Sequence, residues 1–222
     1  MIIKRLTAWI FAFIPLIITL VVLPALPDRV PAHYGIGGDA TRYGSKYEML
    51  ILPLMAIALF FLFIFLERIT SKDKEKARQN QKVLYWIGIA LSALLTALHC
   101  WILYAAHTGL GNLYEGEIDF LKIFAVCLGL FWVVIGNVLP KCKQNYIVGI
   151  RIIWTLRSEL SWHKTHRFGG RLIFGFGILS VILSLIIPVS AVSLMITVLG
   201  FLVLIIPILM YSYIIYKQDT QK

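Results

Sequence analysis

Residues 191–213 read AVSLMITVLGFLVLIIPILMYSY, a run of 23 positions that contains no Asp, Glu, Lys or Arg. A helix needs about 20 apolar residues to cross a hydrocarbon core of roughly 30 Å. Lipid offers the backbone no hydrogen-bond partner, so such a segment must satisfy its own N–H and C=O groups as a helix. The run therefore predicts a transmembrane helix.

The composition of the whole chain agrees with that segment. Of 222 residues, 59% are apolar and 14% are charged, whereas an ordinary soluble domain carries about 25% charged residues. A soluble enzyme, a disordered chain and a secreted disulfide scaffold are therefore excluded.

Pro188 separates the last two apolar runs, which predicts a tight helical hairpin, with one long bent helix as the weaker alternative. The sequence predicts an all-α integral membrane protein with six transmembrane helices, over residues 6–26, 49–66, 83–106, 120–139, 172–187 and 191–213.

The positive charges predict the orientation of the chain, whose formal net charge is +10. Of 21 Lys and Arg residues, 17 fall at the two termini, in residues 67–82 and in residues 140–171. The alternate connections hold only three, and Lys122 lies near the start of the fourth apolar run. By the positive-inside rule, both termini and both basic connections face the cytoplasm.

The predicted outer loop, residues 27–48, belongs to an N-terminal two-helix segment over residues 1–82. It is dense in Pro and Gly, which predicts a fixed set of turns and no helix. The loop is either a recognition face for an extracytoplasmic ligand or a turn-rich connector, and the residues alone slightly favour the connector. Such turns would hold four polar side chains over the membrane surface: His33, Asp39, Arg42 and Lys46.

The predicted second outer loop carries Glu115, Glu117 and Asp119. These carboxylates either attract a cationic peptide or merely reflect the scarcity of Lys and Arg in an outer loop. The second interpretation is favoured.

The basic loop, residues 140–171, belongs to a four-helix segment over residues 83–222. Its residues 146–156 are rich in β-branched and aromatic side chains, which predicts an extended stretch. Ser158 is the predicted N-cap of a short helix that runs to Arg167 and stops at Gly169-Gly170. On this helix Trp162 and His166 share one face, because they are four residues apart.

Three interpretations of the basic loop stay open. The simplest is that it lies on an anionic inner leaflet, where each cation contributes about 1 kcal/mol. It could instead dock a soluble acidic partner or a DNA-binding regulator, or bind a phosphate-bearing ligand through Arg151, Lys164 and Arg167. Direct binding of nucleic acid is not predicted, because the basic excess follows the pattern of membrane topology.

Motifs of enzymes and metal sites are missing from the sequence. It has no HExxH, GxSxG, Walker A or strand-linked GxGxxG pattern, and its three cysteines form no CxxC. We therefore expect no catalytic residue, no cofactor and no metal site. His99 is the one ionisable group predicted at depth, where a hydrogen-bonded packing role is favoured over a proton relay. A membrane enzyme or a transporter that uses His33 or His99 is the alternative function.

Two sets of residues stand out as motifs. The first is Pro140-Lys141, Asn145, Gly149-Ile150-Arg151, Trp154-Thr155-Leu156, Ser158-Glu159, Trp162 and Thr165-His166-Arg167. The second is Leu26-Pro27-Asp28-Arg29-Val30-Pro31, His33, Gly38, Arg42 and Gly44-Ser45-Lys46. The first set resembles the signature of the SdpI immunity-protein family, and the second resembles the domain of unknown function that commonly precedes it.

The resemblance implies a multi-pass, non-enzymatic protein of the bacterial plasma membrane. It implies immunity to a secreted killing peptide, met at the outer loop, and signalling in which the basic loop holds a small cytoplasmic repressor at the membrane. The expected partners are therefore membrane lipids, a toxin peptide and a repressor protein. The cytoplasmic candidates are Asn145, Arg151, Trp154, Thr155, Trp162, His166 and Arg167. Asn145 and Thr155 are expected to fix the loop through side chain–backbone bonds, and for both groups of candidates a purely architectural role is the alternative.

Overall fold

The computed structural model describes residues 2–35, 37–69 and 74–221, and the side chains of residues 10–35, 37–66 and 75–221. Among these described residues, five helices are long and apolar enough to cross a membrane, and a shorter apolar helix covers Ile10–Ala25. The predicted all-α, multi-pass architecture is confirmed. The helices are α1 (Ile2–Val22), α2 (Ile51–Ile69), α3 (Lys74–Thr108), α4 (Phe120–Val138), α5 (Ile153–Arg157), α6 (Glu159–Ile186) and α7 (Ser190–Thr220).

The long helices pack as two groups. The first consists of α1 and α2 packed on α3, the second of α4 packed on α6 and α7, and contacts between α3 and α4 join them. The predicted division between residues 82 and 83 lies inside α3, so one continuous helix belongs to both predicted segments. The sharp turn predicted at Pro188 is confirmed, because α6 ends at Ile186 and α7 begins at Ser190.

His99 joins α3 to α1. Its side chain is 1% exposed, and its Nε2 atom lies 2.6 Å from Thr19 Oγ1. The Thr19 hydroxyl donates its proton to the Pro15 carbonyl at 2.7 Å, so His99 Nε2–H is the donor to Thr19. The buried, hydrogen-bonded position expected for a packing residue is thus present at His99, whereas its role stays a prediction.

A seam of glycines brings α4 close to α6. A Cβ atom on Gly177 would lie 2.6 Å from Val133 N and 2.8 Å from Gly129 O. A Cβ atom on Gly136 would overlap the backbone of Phe174. Small residues of this kind let helix backbones approach in lipid, where close packing drives association.

The segment at 27–48 differs from its prediction. It forms an antiparallel hairpin of β1 (Arg29–Tyr34) and β2 (Ala40–Ser45), followed by a 3-10 helix over Lys46–Leu50. Val30 pairs with Gly44 and Tyr34 with Ala40, with register shifts around His33. The prediction of turns without strands was wrong because Pro and Gly mask the strand pattern, whereas burial of Val30 against Leu103 holds the hairpin on the helices.

The basic loop also differs from its prediction in two places. Residues 153–156, predicted to be extended, lie in the helical turn α5. The helix predicted to stop at Gly169-Gly170 continues to Ile186. Both glycines are buried, and Cβ atoms on them would contact Ile150 and Pro140, so they serve close packing instead of ending the helix. The predicted N-cap is confirmed, since Ser158 Oγ accepts a hydrogen bond from Ser161 N at 2.9 Å.

Candidate functional site

The β-hairpin is tied to the connection between α3 and α4, and we call residues 27–48 and 109–119 together the hairpin end. Ala40 N donates to Gly111 O at 2.7 Å, and Leu113 N donates to Gly38 O at 2.8 Å. Asn112 Nδ2 donates to Asp39 Oδ1 at 2.8 Å. Asp39, a predicted recognition residue, therefore helps join the two loops into one surface.

The other predicted recognition residues of the hairpin also have partners within the chain. The Arg42 guanidinium donates two hydrogen bonds to the Glu48 carboxylate, at 2.8 and 3.2 Å, and this interaction raises the pKa of Arg42. Lys46 Nζ lies 3.0 Å from Asp28 Oδ1. His33 Nδ1 lies 2.7 Å from Thr41 Oγ1. Exposed ion pairs contribute little to stability because water screens them. The main effect of these contacts is therefore to set the positions of the side chains.

At the opposite end, which we call the basic end, Asn145 organises residues 142–148. Its Oδ1 atom accepts hydrogen bonds from Ile147 N at 2.7 Å and Val148 N at 2.8 Å. Its Nδ2 atom donates to Lys143 O at 2.7 Å and to Val148 O at 3.0 Å. The expected side chain–backbone role of Asn145 is present in the structure.

Thr155 holds residues 150–155 in place through side chain–backbone hydrogen bonds of the same kind. Its hydroxyl donates to Ile150 O at 2.7 Å and accepts from Ile152 N at 3.1 Å, which caps α5. Gln144 Nε2 donates to the carbonyls of Thr155 at 2.9 Å and Leu156 at 3.0 Å, so it binds the other end of that turn. Sequence reasoning missed Gln144, which has no motif of its own.

Trp162 and His166 form the buried floor under this loop. Trp162 is fully buried, its Nε1 atom donates to Cys142 O at 2.9 Å, and its ring stacks on His166 with centroids 4.1 Å apart. Ile150 N donates to His166 Nε2 at 3.0 Å, so His166 carries its proton on Nδ1, 2.8 Å from Trp162 O. Gly149 has a φ of +116°, and a Cβ atom there would overlap His166 Nε2. Both rings are therefore part of the frame and are not open to a ligand.

Helix α3 contributes Asn80, which sequence reasoning also missed. Asn80 is fully buried, and its Oδ1 atom accepts from Lys143 N at 2.8 Å. Beside it, burial raises the pKa of the Cys142 thiol to about 12, against a smaller opposing effect of the Asn145 hydrogen bond. Among the described residues, no cluster of three His, Cys, Asp or Glu side chains has the geometry to hold a metal ion.

The cations of the basic end surround this frame and point outward. Arg151 donates to Ile147 O at 3.0 Å and to Tyr146 O, while its side chain stays exposed. The Trp154 ring packs edge-on against Tyr213 with centroids 5.2 Å apart. The exposed cations that follow are Lys141, Arg157, Lys164, Arg167 and Arg171. The structure thus combines a rigid buried frame with a cationic rim. In the part of the chain that the structure describes, the predicted site residue Arg167 has no ion-pair partner.

The fold and its two ends define a multi-pass membrane protein with a folded polar cap at each end of the helices. Residues 141–211 match the SdpI/YfhL protein family, and residues 10–57 match the domain of unknown function DUF1648. A segment similar to the SdpI/YfhL family thus follows a segment similar to DUF1648, and the resemblance found in the sequence is confirmed.

Two relatives extend this comparison. The chain is 26% identical over 220 residues to the protein named "Immunity protein SdpI" of Bacillus subtilis (strain 168), with 97% of each chain covered. It is 57% identical over 28 residues to an uncharacterized protein of Archaeoglobus fulgidus, a match that covers 13% of this chain and 15% of the other. No solved structure matches the chain.

Proposed function

We propose that this protein gives its cell immunity to a secreted killing peptide and acts as a non-enzymatic protein of the bacterial plasma membrane. The observation that carries the proposal is the similarity to the immunity protein, which covers 97% of both chains. Similarity of that extent includes the hairpin end and the basic end together with the helices that join them. Both polar caps would therefore contribute to the same immunity function.

The proposal includes an orientation in which the hairpin end faces outward and the basic end faces the cytoplasm. Its support is the distribution of cations, because positively charged connections are retained on the cytoplasmic side. With this orientation a secreted peptide meets the hairpin end first.

The test is a survival assay in a sensitive bacterial strain that expresses the full chain. We expect cells with the protein to survive at concentrations of at least one secreted antimicrobial peptide that kill cells with an empty vector. Gly177→Leu, which would clash with α4, serves as a misfolded control that should not protect. Equal killing with and without well-expressed protein, across a panel of such peptides, would contradict the proposal.

A finer part of the proposal concerns signalling. We propose that the cationic rim at the basic end holds an acidic cytoplasmic repressor at the membrane. The support is the rigid frame of Asn145, Thr155 and Trp162, which presents the exposed Lys164 and Arg167 at fixed positions. A preformed frame lowers the conformational entropy that the loop itself loses when a partner binds.

This part is tested by photo-crosslinking from Leu160, which is 42% exposed beside the rim. We expect a crosslink to a soluble, acidic DNA-binding protein that is lost in the double variant Lys164→Gln with Arg167→Gln. Crosslinks to phospholipid alone would overturn the signalling role and would leave lipid binding as the function of the rim.

A further inference from the structure

A small apolar groove lies where α3 meets α4, the contact that joins the two groups of helices. Its volume is about 140 Å³, and its walls are Ala90, Ala93 and Leu94 of α3 with Cys127, Leu130, Phe131 and Val134 of α4. This volume is well below the roughly 300–1,000 Å³ of small-molecule pockets. An added helix, about 10–12 Å wide, would not fit either. The groove suits one slender hydrocarbon chain.

One row of α3 side chains leads from this groove to the basic end. Residues four apart lie on the same side of a helix, and the row consists of Ala90, Trp86 and Lys82. The Trp86 side chain is 49% exposed, and Lys82 is exposed. Lys82 lies eight residues before Ala90, which places it roughly 12 Å closer to the basic end.

A matching row on α4 reaches the same end. Its members are spaced by three or four residues and consist of Leu130, Val134, Asn137 and Lys141. Asn137 and Lys141 are both exposed. Each wall of the groove therefore continues into exposed polar side chains on the basic side.

The two rows end beside one contact between helices. Val83 packs with Val138 and Cys142 in one buried cluster. Lys82 directly precedes Val83, and Lys141 directly precedes Cys142. The two cations thus flank the same contact, and among the described residues neither forms an ion pair.

The two helices contribute little negative charge to balance these cations. Glu75 is the one acid in the sequences of α3 and α4. It lies seven residues before Lys82, roughly 10 Å further from the groove. An apolar groove therefore opens toward a cationic mouth.

This arrangement distinguishes between occupants. A phospholipid with an anionic head group would place its phosphate at Lys82 and Lys141 while one acyl chain enters the groove. Trp86 suits that position, because indole rings favour the head-group level of a membrane. A cationic peptide would be repelled by the same two lysines. A second copy of the chain on a two-fold axis would oppose its own lysines to them.

We propose that the junction of α3 and α4 is a binding site for an anionic phospholipid of the leaflet at the basic end. Basic pockets between transmembrane helices are suited to such head groups. The bound acyl chain fills the gap between the helices that join the two groups, and so stabilises their contact. The inference goes beyond the proposed function and requires only that the helices span a membrane.

The test uses the full chain in phosphatidylcholine nanodiscs that contain a trace of photoactivatable lipid. Two tracers carry the same diazirine in one acyl chain and differ in head group, phosphatidylglycerol in one and phosphatidylcholine in the other. Mass spectrometry maps the labelled residues. We expect the phosphatidylglycerol tracer to label residues 127–134 roughly tenfold more than the phosphatidylcholine tracer does. Met210 is the matched position, since it is 61% exposed on α7 outside the groove, and both tracers should label it equally.

Variants then separate the two lysines from the general charge of the basic end. Lys82→Gln with Lys141→Gln should abolish the tenfold preference, whereas Lys82→Arg with Lys141→Arg should keep it. Arg157→Gln with Lys217→Gln removes two exposed cations of α5 and α7 and should also keep it. The thermal midpoint of each variant shows that it is folded. Equal labelling of residues 127–134 by both tracers, a preference that survives in the Lys82→Gln, Lys141→Gln protein, or an equal loss in the α5 and α7 variant would overturn the proposal.

A second measurement reports on the groove itself. A ligand that binds only the folded state raises its stability, so adding phosphatidylglycerol to the detergent-solubilised protein should raise its thermal midpoint. Ala93→Phe, which fills the groove, should abolish that rise. A rise of the same size in Ala93→Phe, or with phosphatidylcholine, would contradict a site for anionic lipid at this junction.

Discussion

Asn145 uses both oxygen lone pairs and both amide protons within three residues of the chain. Removing a buried partner costs roughly 1–3 kcal/mol for each group that is left unsatisfied. Asn145→Ala should therefore lower the thermal midpoint of the purified protein and expose residues 142–150 to protease.

The matched control for that variant is Tyr146→Ala, because Tyr146 is 78% exposed on the same loop. Its thermal midpoint should stay at the wild-type value. An Asn145→Ala protein as stable and as protease-resistant as the control would show that the loop is held by other contacts.

Cys142 gives a second prediction at the residue scale. Cys142 is 1% exposed, and burial raises the pKa of its thiol to about 12, which keeps it out of the reactive thiolate form. A maleimide should leave Cys142 unmodified in the folded protein and modify it after denaturation, as measured by mass spectrometry of the peptide. Modification of folded protein at the rate of a free cysteine would contradict the burial of this thiol.

Sequence reasoning identified Asn145, Thr155, Trp162 and His166 because they stand in one recognisable motif. It missed Asn80 and Gln144, whose partners are brought to them only by the fold: Asn80 bonds Lys143 across 63 residues. Such pairings carry no local spacing signal, which explains why they could not be predicted.

At the scale of elements, the glycine seam between α4 and α6 makes a sharp prediction. Gly177→Ala places a Cβ atom 2.6 Å from Val133 N, whereas a Cβ atom on Gly175 meets nothing within 4 Å. Overpacking of this kind costs roughly 1–3 kcal/mol. The thermal midpoint should fall in Gly177→Ala and stay level or rise in Gly175→Ala, since alanine favours a helix over glycine. Equal thermal midpoints for Gly177→Ala and Gly175→Ala would contradict the close packing of α4 on α6.

The spans themselves were predictable, because a long apolar run has only one stable form in lipid. For example, the run predicted over residues 120–139 corresponds to α4, Phe120–Val138.

The polar caps were less predictable. The strands of the hairpin are short and interrupted by Pro31, and Gly169-Gly170 lies inside α6 because tertiary packing overrides its local tendency to end a helix.

At the scale of the whole molecule, the account depends on which end of the helix bundle faces the outside. The proposed immunity function needs the hairpin end on the side from which a peptide arrives. The proposed signalling function needs the cationic rim in the cytoplasm. One orientation serves both proposals, and the reverse orientation removes both.

The most direct test is labelling of intact cells with a membrane-impermeant maleimide, using single added cysteines at exposed positions of each end. Tyr43→Cys reports on the hairpin end and Lys164→Cys on the basic end, and the unaltered chain gives the background from its own three cysteines. We predict that Tyr43→Cys is labelled in intact cells and that Lys164→Cys is labelled only after the cells are permeabilised. Labelling of Lys164→Cys but not Tyr43→Cys in intact cells would contradict the account.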